Sequence, residues 1–170
     1  MRTDVIMEPG VVLADAGLFV RLRKLGVRHL ISGDQTGGRL AVVEFPLPPH
    51  SMGAPVHTHS REDEITYVAE GTVGIQIGDK VYEAGPGVTA RMPRDVPHAF
   101  WNASDTPARL SVIITPAGFE GYFQEMAEAL VAGDGGQPDQ KRVRAIQERY
   151  GLLMDNDSIP VLVKRYGLIP

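Results

Sequence analysis

The chain has 170 residues, with 19 Gly, 13 Pro, five His and no Cys, and a formal charge of −4 from 17 Lys and Arg against 21 Asp and Glu. That length suits one domain of ordinary size, or one domain with an appendage. The missing cysteines exclude disulfides, thiolate metal sites and a cysteine nucleophile, and the lack of a long single-sign charge block argues against a nucleic-acid or polyanion surface.

The N-terminal segment Met1–Gly10 contains Asp4 and Glu8 and no continuous apolar stretch, so it does not read as a secretory signal. No apolar run approaches the roughly 18 residues of a membrane helix. The expected location is the cytoplasm. From about Leu18 to Pro116 the chain is a succession of short β-type runs closed by Gly, Pro, Asp or Asn. The predicted strands are Phe19–Leu25, Val27–Ile31, Leu40–Phe45, Pro55–His59, Glu64–Glu70, Thr72–Ile77, Val81–Glu83, Val88–Met92, His98–Asn102 and Arg109–Thr115. Such dense strands leave no room for crossover helices, which predicts an all-β antiparallel sandwich or barrel. The clearest hairpin joins Ile75–Ile77 to Val81 through Gly78-Asp79-Lys80.

After Pro116 the period changes. Phe119, Phe123, Met126, Ala127 and Leu130 recur at helical spacing and predict a helix ending near Gly133, followed by a loop over Gly133–Pro138. A second helix is predicted from an Asp139 cap to Tyr150, with Val143, Ile146 and Tyr150 on one face and Gly151 as its stop. Ser158–Pro170 contains the apolar run Ile159–Val163 and is expected to pack back on the body. The expected division is a β-barrel over 1–117 and a C-terminal helical extension over 118–170.

Three of the five histidines fall in two short segments, His57-Thr58-His59-Ser60-Arg61-Glu62-Asp63-Glu64 and Pro93-Arg94-Asp95-Val96-Pro97-His98. In an extended strand the two-residue period places His57 and His59 on one face, where they can share an ion. A hairpin return brings Glu64 beside them, and His98 opens a later strand. Three imidazoles and a carboxylate suit one divalent transition metal ion (Fe, Ni, Mn, Cu or Zn) rather than calcium. His29 and His50 match no spacing and are expected to be surface or satisfied loop residues. Glu62 and Asp63 are expected to be loop charges. Strand parity puts Thr66 and Val68 on the face of Glu64 and Phe100 on that of His98, making these three the expected substrate contacts or, equally, barrel core. Tyr67 and Trp101 have the opposite parity and are expected to pack between the sheet and flanking elements.

These segments resemble the two motifs of the cupin superfamily. The first, G-x5-HxH-x3,4-E-x6-G, is met by His57, His59, Glu64 and Gly71, with Ser51 at the place of the leading glycine and Gly53 two residues later. The second, G-x5-PxG-x2-H-x3-N, is met by Gly87, Pro93, His98 and Asn102, with Asp95 in place of its second glycine. Asp tolerates positive φ, so the turn should survive. The resemblance covers about Gly38 to Pro116 and implies a jelly-roll barrel, a double-stranded β-helix, enclosing an ion held by His57, His59, Glu64 and His98. The run Arg91–Phe100 and the helical tail opening Pro116-Ala117-Gly118-Phe119-Glu120 are similar to single-domain quercetinase-like proteins. That similarity implies a dioxygenase acting on a flavonol or other aromatic hydroxy-ketone with O2, Glu64 serving as ligand and catalytic base. The alternatives are a metal-dependent isomerase or cyclase, or a non-enzymatic small-molecule-binding barrel. The expected partners are a small molecule and a second copy of the chain in a homodimer, since cupins commonly pair and small barrels have exposed edges.

Overall fold

The computed structural model describes residues 10–131 and 138–169. Two antiparallel sheets face each other. The first has strand order β1-β2-β3-β10-β5-β8, formed by β1 (Leu18–Leu22), β2 (Leu25–Ile31), β3 (Ala41–Leu47), β5 (Asp63–Glu70), β8 (Thr89–Met92) and β10 (Ala108–Thr115). The second has order β11-β4-β9-β6-β7, from β4 (Ser51–His59), β6 (Val73–Ile77), β7 (Lys80–Ala84), β9 (His98–Asn102) and β11 (Leu152–Met154). This is the antiparallel sandwich expected from the strand density and the jelly roll that the cupin resemblance implied. Helices α1 (Glu120–Val131), α2 (Gln140–Arg149) and α3 (Ser158–Tyr166) pack around it. Among the described residues no helix is long and apolar enough to cross a membrane.

The sheets meet over an apolar core set by strict alternation. Ala41, Val43, Phe45 and Leu47 of β3 and Ala108, Leu110, Val112 and Ile114 of β10 are buried, with partly exposed residues between them. Strand β9 is buried along its whole length. Its inner face carries His98, Phe100 and Asn102, while Ala99 and Trp101 on its outer face are covered by Leu162 and Leu168 of the C-terminal segment. Trp101 stacks on Tyr166 with ring centroids 4.3 Å apart, so it packs against a flanking element as expected. Tyr67 does not: it stands on the outer face of β5, 48% exposed.

Other boundaries moved for local reasons. The first hairpin turns at Arg23-Lys24, pairing Leu22 with Leu25, so Leu25 begins β2 rather than ending β1. The turn contains no Gly, Pro or Asn to signal it, and Arg23 takes a positive φ of 53°. Strand β4 was expected to begin at Pro55, yet it starts at Ser51 and runs through Gly53 and Pro55. Register irregularities against β9 fall between Met52 and Ala54 and between Ala54 and His57, and such bulges accommodate both residue types. The β6–β7 hairpin uses Gly78-Asp79 alone, because Lys80 already pairs with Ile77.

In the C-terminal region, Asp139 caps α2 by accepting from the backbone N–H groups of Lys141 and Arg142 at 2.9 and 3.2 Å. Gly151 follows that helix with φ 65°. The helical stripe of α1 is Tyr122, Phe123, Met126 and Ala129, joined by Phe119 just ahead of it, while Ala127 and Leu130 are only partly buried. The loop expected over Gly133–Pro138 lies outside the described residues except for Pro138. Ser158–Tyr166 is a helix packed against β4, and Ser158 Oγ accepts a hydrogen bond from Val56 N. The three-residue β11 was not foreseen. It pairs Leu152 with His59 and Met154 with His57, so the C-terminal region contributes a strand to the second sheet.

Candidate metal centre

The structure brings His57, His59, Glu64 and His98 together. One ligand atom from each lies within 4.8 Å of the others, and all four residues are buried. Three imidazoles come from the second sheet and the carboxylate from the first. His57 and His98 are register partners across β4 and β9, with ring centroids 4.3 Å apart. Glu64 reaches them from the start of β5, where it pairs with Met92 and Ile114. The turn before His98 has the conformation its motif needs, with Asp95 at φ 61°. Gly53 answers a different requirement: a Cβ there would sit 2.1 Å from the Phe100 ring.

The donor set can be tested by where its ring nitrogens point. His57 Nδ1 lies 2.8 Å from Pro55 O and His98 Nδ1 3.0 Å from Val96 O. A carbonyl only accepts, so each Nδ1 carries the hydrogen and each Nε2 presents a lone pair to the cluster. Glu64 lies 3.4 Å from both His59 Nε2 and His98 Nε2. Nevertheless His59 Nδ1, His59 Nε2 and His98 Nε2 are buried without a hydrogen-bond partner. Buried polar atoms are seldom left so, and an ion would satisfy the Nε2 pair.

The protonation states agree. Burial first, then the neighbouring His98 and His59, lower the His57 pKa to about 3, and burial lowers that of His59. Burial opposes ionisation of Glu64, but His98, His59 and His57 outweigh it and hold the carboxyl at about 2. Neutral imidazole beside ionised carboxylate is the form that coordinates a cation, so these four residues fit a divalent transition metal.

A cavity of about 360 Å³ opens onto the cluster, with His57, His59 and Glu64 in its wall. The rest of its inner lining is largely apolar, including Phe45, Phe100, Phe119, Phe123 and Met126. Phe119 meets the His59 ring edge-on at 4.2 Å. Of the expected substrate contacts, Phe100 lines this cavity. Thr66 and Val68 are fully buried in the core instead, and Thr66 Oγ1 donates to Met92 Sδ at 3.6 Å. The helical stripe identified Phe119, Phe123 and Met126 as packing residues; their place beside the cluster was not legible, because periodicity gives a face and not what it faces.

Two expectations about charged residues are corrected. Glu62 lies in the loop between β4 and β5 as expected, but it is buried, only 6% exposed, and its carboxylate approaches His59. Asp63 is not in the loop but opens β5, and it pairs at the surface with Arg94 at 2.7 Å. His29 belongs to β2, half-buried against Phe123, with Nε2 unpartnered. His50 sits in the turn before β4 and contacts Asp105 at 2.7 Å, in keeping with a satisfied loop residue.

Comparison with known proteins bears on the fold of the barrel. A family model described as a cupin domain matches residues 43–114. No curated protein sequence matches the chain significantly. Among solved structures, the polyketide cyclase RemF from Streptomyces resistomycificus is 28% identical over 63% of this chain and 79% of its own, with a TM-score of 0.55. A predicted oxalate decarboxylase from Thermotoga maritima shares the fold at 21% identity, with a TM-score of 0.58 over 63% of this chain and 99% of its own. A sugar phosphate isomerase from Silicibacter pomeroyi, 29% identical with a TM-score of 0.47, aligns with 54% of this chain, which spans only 59% of that protein's length. The barrel, over residues 43–114, is thus a cupin domain.

Proposed function

We propose that the protein is a metal-dependent dioxygenase acting on an aromatic or otherwise enolisable hydroxy-ketone of the flavonol type, with His57, His59, Glu64 and His98 holding the ion. The observation that carries this reading is the apolar cavity opening directly onto a donor set of three imidazoles and one carboxylate. A bound divalent transition metal supplies a Lewis acid for a substrate oxygen and, where redox-active, a route to O2. The aromatic wall of Phe45, Phe100, Phe119 and Phe123 takes an apolar ring system and excludes water from the reacting oxygens. Glu64 is the one carboxylate among the described lining residues, so it is the group placed to take the proton of the substrate hydroxyl. Dioxygenation asks for only that proton acceptor, because both atoms of O2 enter the product and the substrate supplies the electrons.

A second reading, a cyclase without net redox change, is favoured by the likeness to RemF, a polyketide cyclase. The two are separated by oxygen uptake on a panel of flavonols and polyphenolic ketones, repeated under strict anaerobiosis. Uptake matching substrate loss supports the dioxygenase. Turnover that survives without oxygen supports the cyclase, and neither with any metal leaves a binding barrel. The reading includes a homodimer, supported by strand β7, which has no further strand beside it among the described residues and leaves Val81 and Tyr82 exposed, and light scattering at the mass of two chains tests it.

A further inference from the structure

The three clustered histidines are not held alike. His57 and His98 each rest Nδ1 on a backbone carbonyl of their own strand or turn, whereas His59 Nδ1 meets no carbonyl. What lies opposite it is Glu62, whose Oε2 is 3.8 Å away and is likewise buried and without a hydrogen-bond partner. The side chains are 1% and 8% exposed, so water does not substitute for either. Two complementary orphans facing each other across a gap slightly longer than a hydrogen bond are a donor and an acceptor awaiting the same contact.

We propose that Glu62 is a positioning residue for the metal centre, its carboxylate taking the Nδ1 hydrogen of His59 and so fixing the Nε2 lone pair of that ring on the ion. This rests on the metal reading above. A carboxylate that accepts from a ligand imidazole fixes the tautomer and the ring orientation and raises the basicity of the coordinating nitrogen. His57 and His98 take the first two effects from neutral carbonyls, so His59 becomes the most strongly donating imidazole of the set. Its ring stands between two carboxylates, Glu62 on the Nδ1 side and Glu64 on the Nε2 side. Phe119 closes on it edge-on, which leaves Glu62 as the acceptor within reach.

The test uses cobalt(II) as probe, titrated into metal-free wild-type, Glu62→Gln and Glu62→Ala proteins, reading affinity by chelator competition and ligand field from the visible absorption bands. Glu62→Ala is expected to weaken cobalt binding about tenfold to hundredfold and to shift the bands. Glu62→Gln, whose amide oxygen still accepts, should lose less affinity but show a shifted band. Wild-type affinity and unchanged bands in the variants overturn the proposal. Thermal melts of the metal-free proteins report folding, and if Glu62→Ala does not fold, the isosteric Glu62→Gln decides alone by the same readings. Wild-type protein that takes up no cobalt overturns the metal reading itself, an outcome distinct from a variant that binds as well as wild type.

Discussion

Strand β9 carries two buried polar residues on its inner face, His98 at one end of the barrel and Asn102 at the other, and they are treated oppositely. Asn102 Nδ2 donates to Leu47 O, Pro48 O and Thr106 O at 3.1, 3.0 and 2.8 Å, and its Oδ1 accepts from Ser104 N and Ser104 Oγ at 2.9 and 2.7 Å. His98 Nε2, equally buried, has no such partner. A satisfied polar group ties loops to a sheet, so the Asn102 end closes the barrel. Unsatisfied nitrogens cost free energy unless something else binds them, so the His98 end has the donor set of a metal centre.

The sharpest way to break this contrast is to remove one residue from each end. His98→Ala or His57→Ala should weaken metal binding by more than the roughly hundredfold that loss of a supporting contact causes, with the fold retained, as read by metal analysis and circular dichroism. Asn102→Ala should do the reverse. Several buried bonds vanish at once, so stability should fall by about 3 kcal/mol in urea titration, while folded molecules keep their full metal content.

The ends should also differ in their response to acid. His57 has its folded pKa lowered to about 3 from an ordinary 6.5, so the unfolded chain binds the extra proton first as pH falls. The stability of the metal-free protein should therefore decline from pH 6.5 downward toward about 3. For a single such group the slope is at most about 1.4 kcal/mol per pH unit. Glu64, ionised down to about 2, adds its own loss only below its ordinary 4.5. Urea titrations at several pH values measure this, and His57→Leu should flatten the slope between pH 6.5 and 4.5 where Asn102→Ala leaves it unchanged. The smallest expected effect is at the cavity wall. Phe119→Leu, which nearly conserves volume, should cost less than about 1.5 kcal/mol and leave metal content unchanged, while altering KM for aromatic substrates.

Much of this site was legible because its information is local. A two-residue period puts His57 and His59 on one face, and the motif spacing supplied Glu64 and His98. The tolerance of Asp95 for positive φ was readable from residue type. Glu62 was not legible, because a charged residue between strands reads as solvated unless the burial around it is known. Leu152 and Met154 were not either, since a three-residue strand has no period, and its pairing with His57 and His59 spans some ninety residues of chain. The start of β4 at Ser51, four residues ahead of the expected Pro55, was hidden for the same reason: it depends on bulges that only the partner strand β9 reveals.

The most direct test of the contrast is elemental analysis of wild-type, His98→Ala and Asn102→Ala proteins, each purified without added metal and then dialysed against a mixture of divalent transition ions. The account predicts about one equivalent in wild type and in folded Asn102→Ala, and close to none in His98→Ala. Wild-type protein without metal, or His98→Ala with a full equivalent, would contradict it.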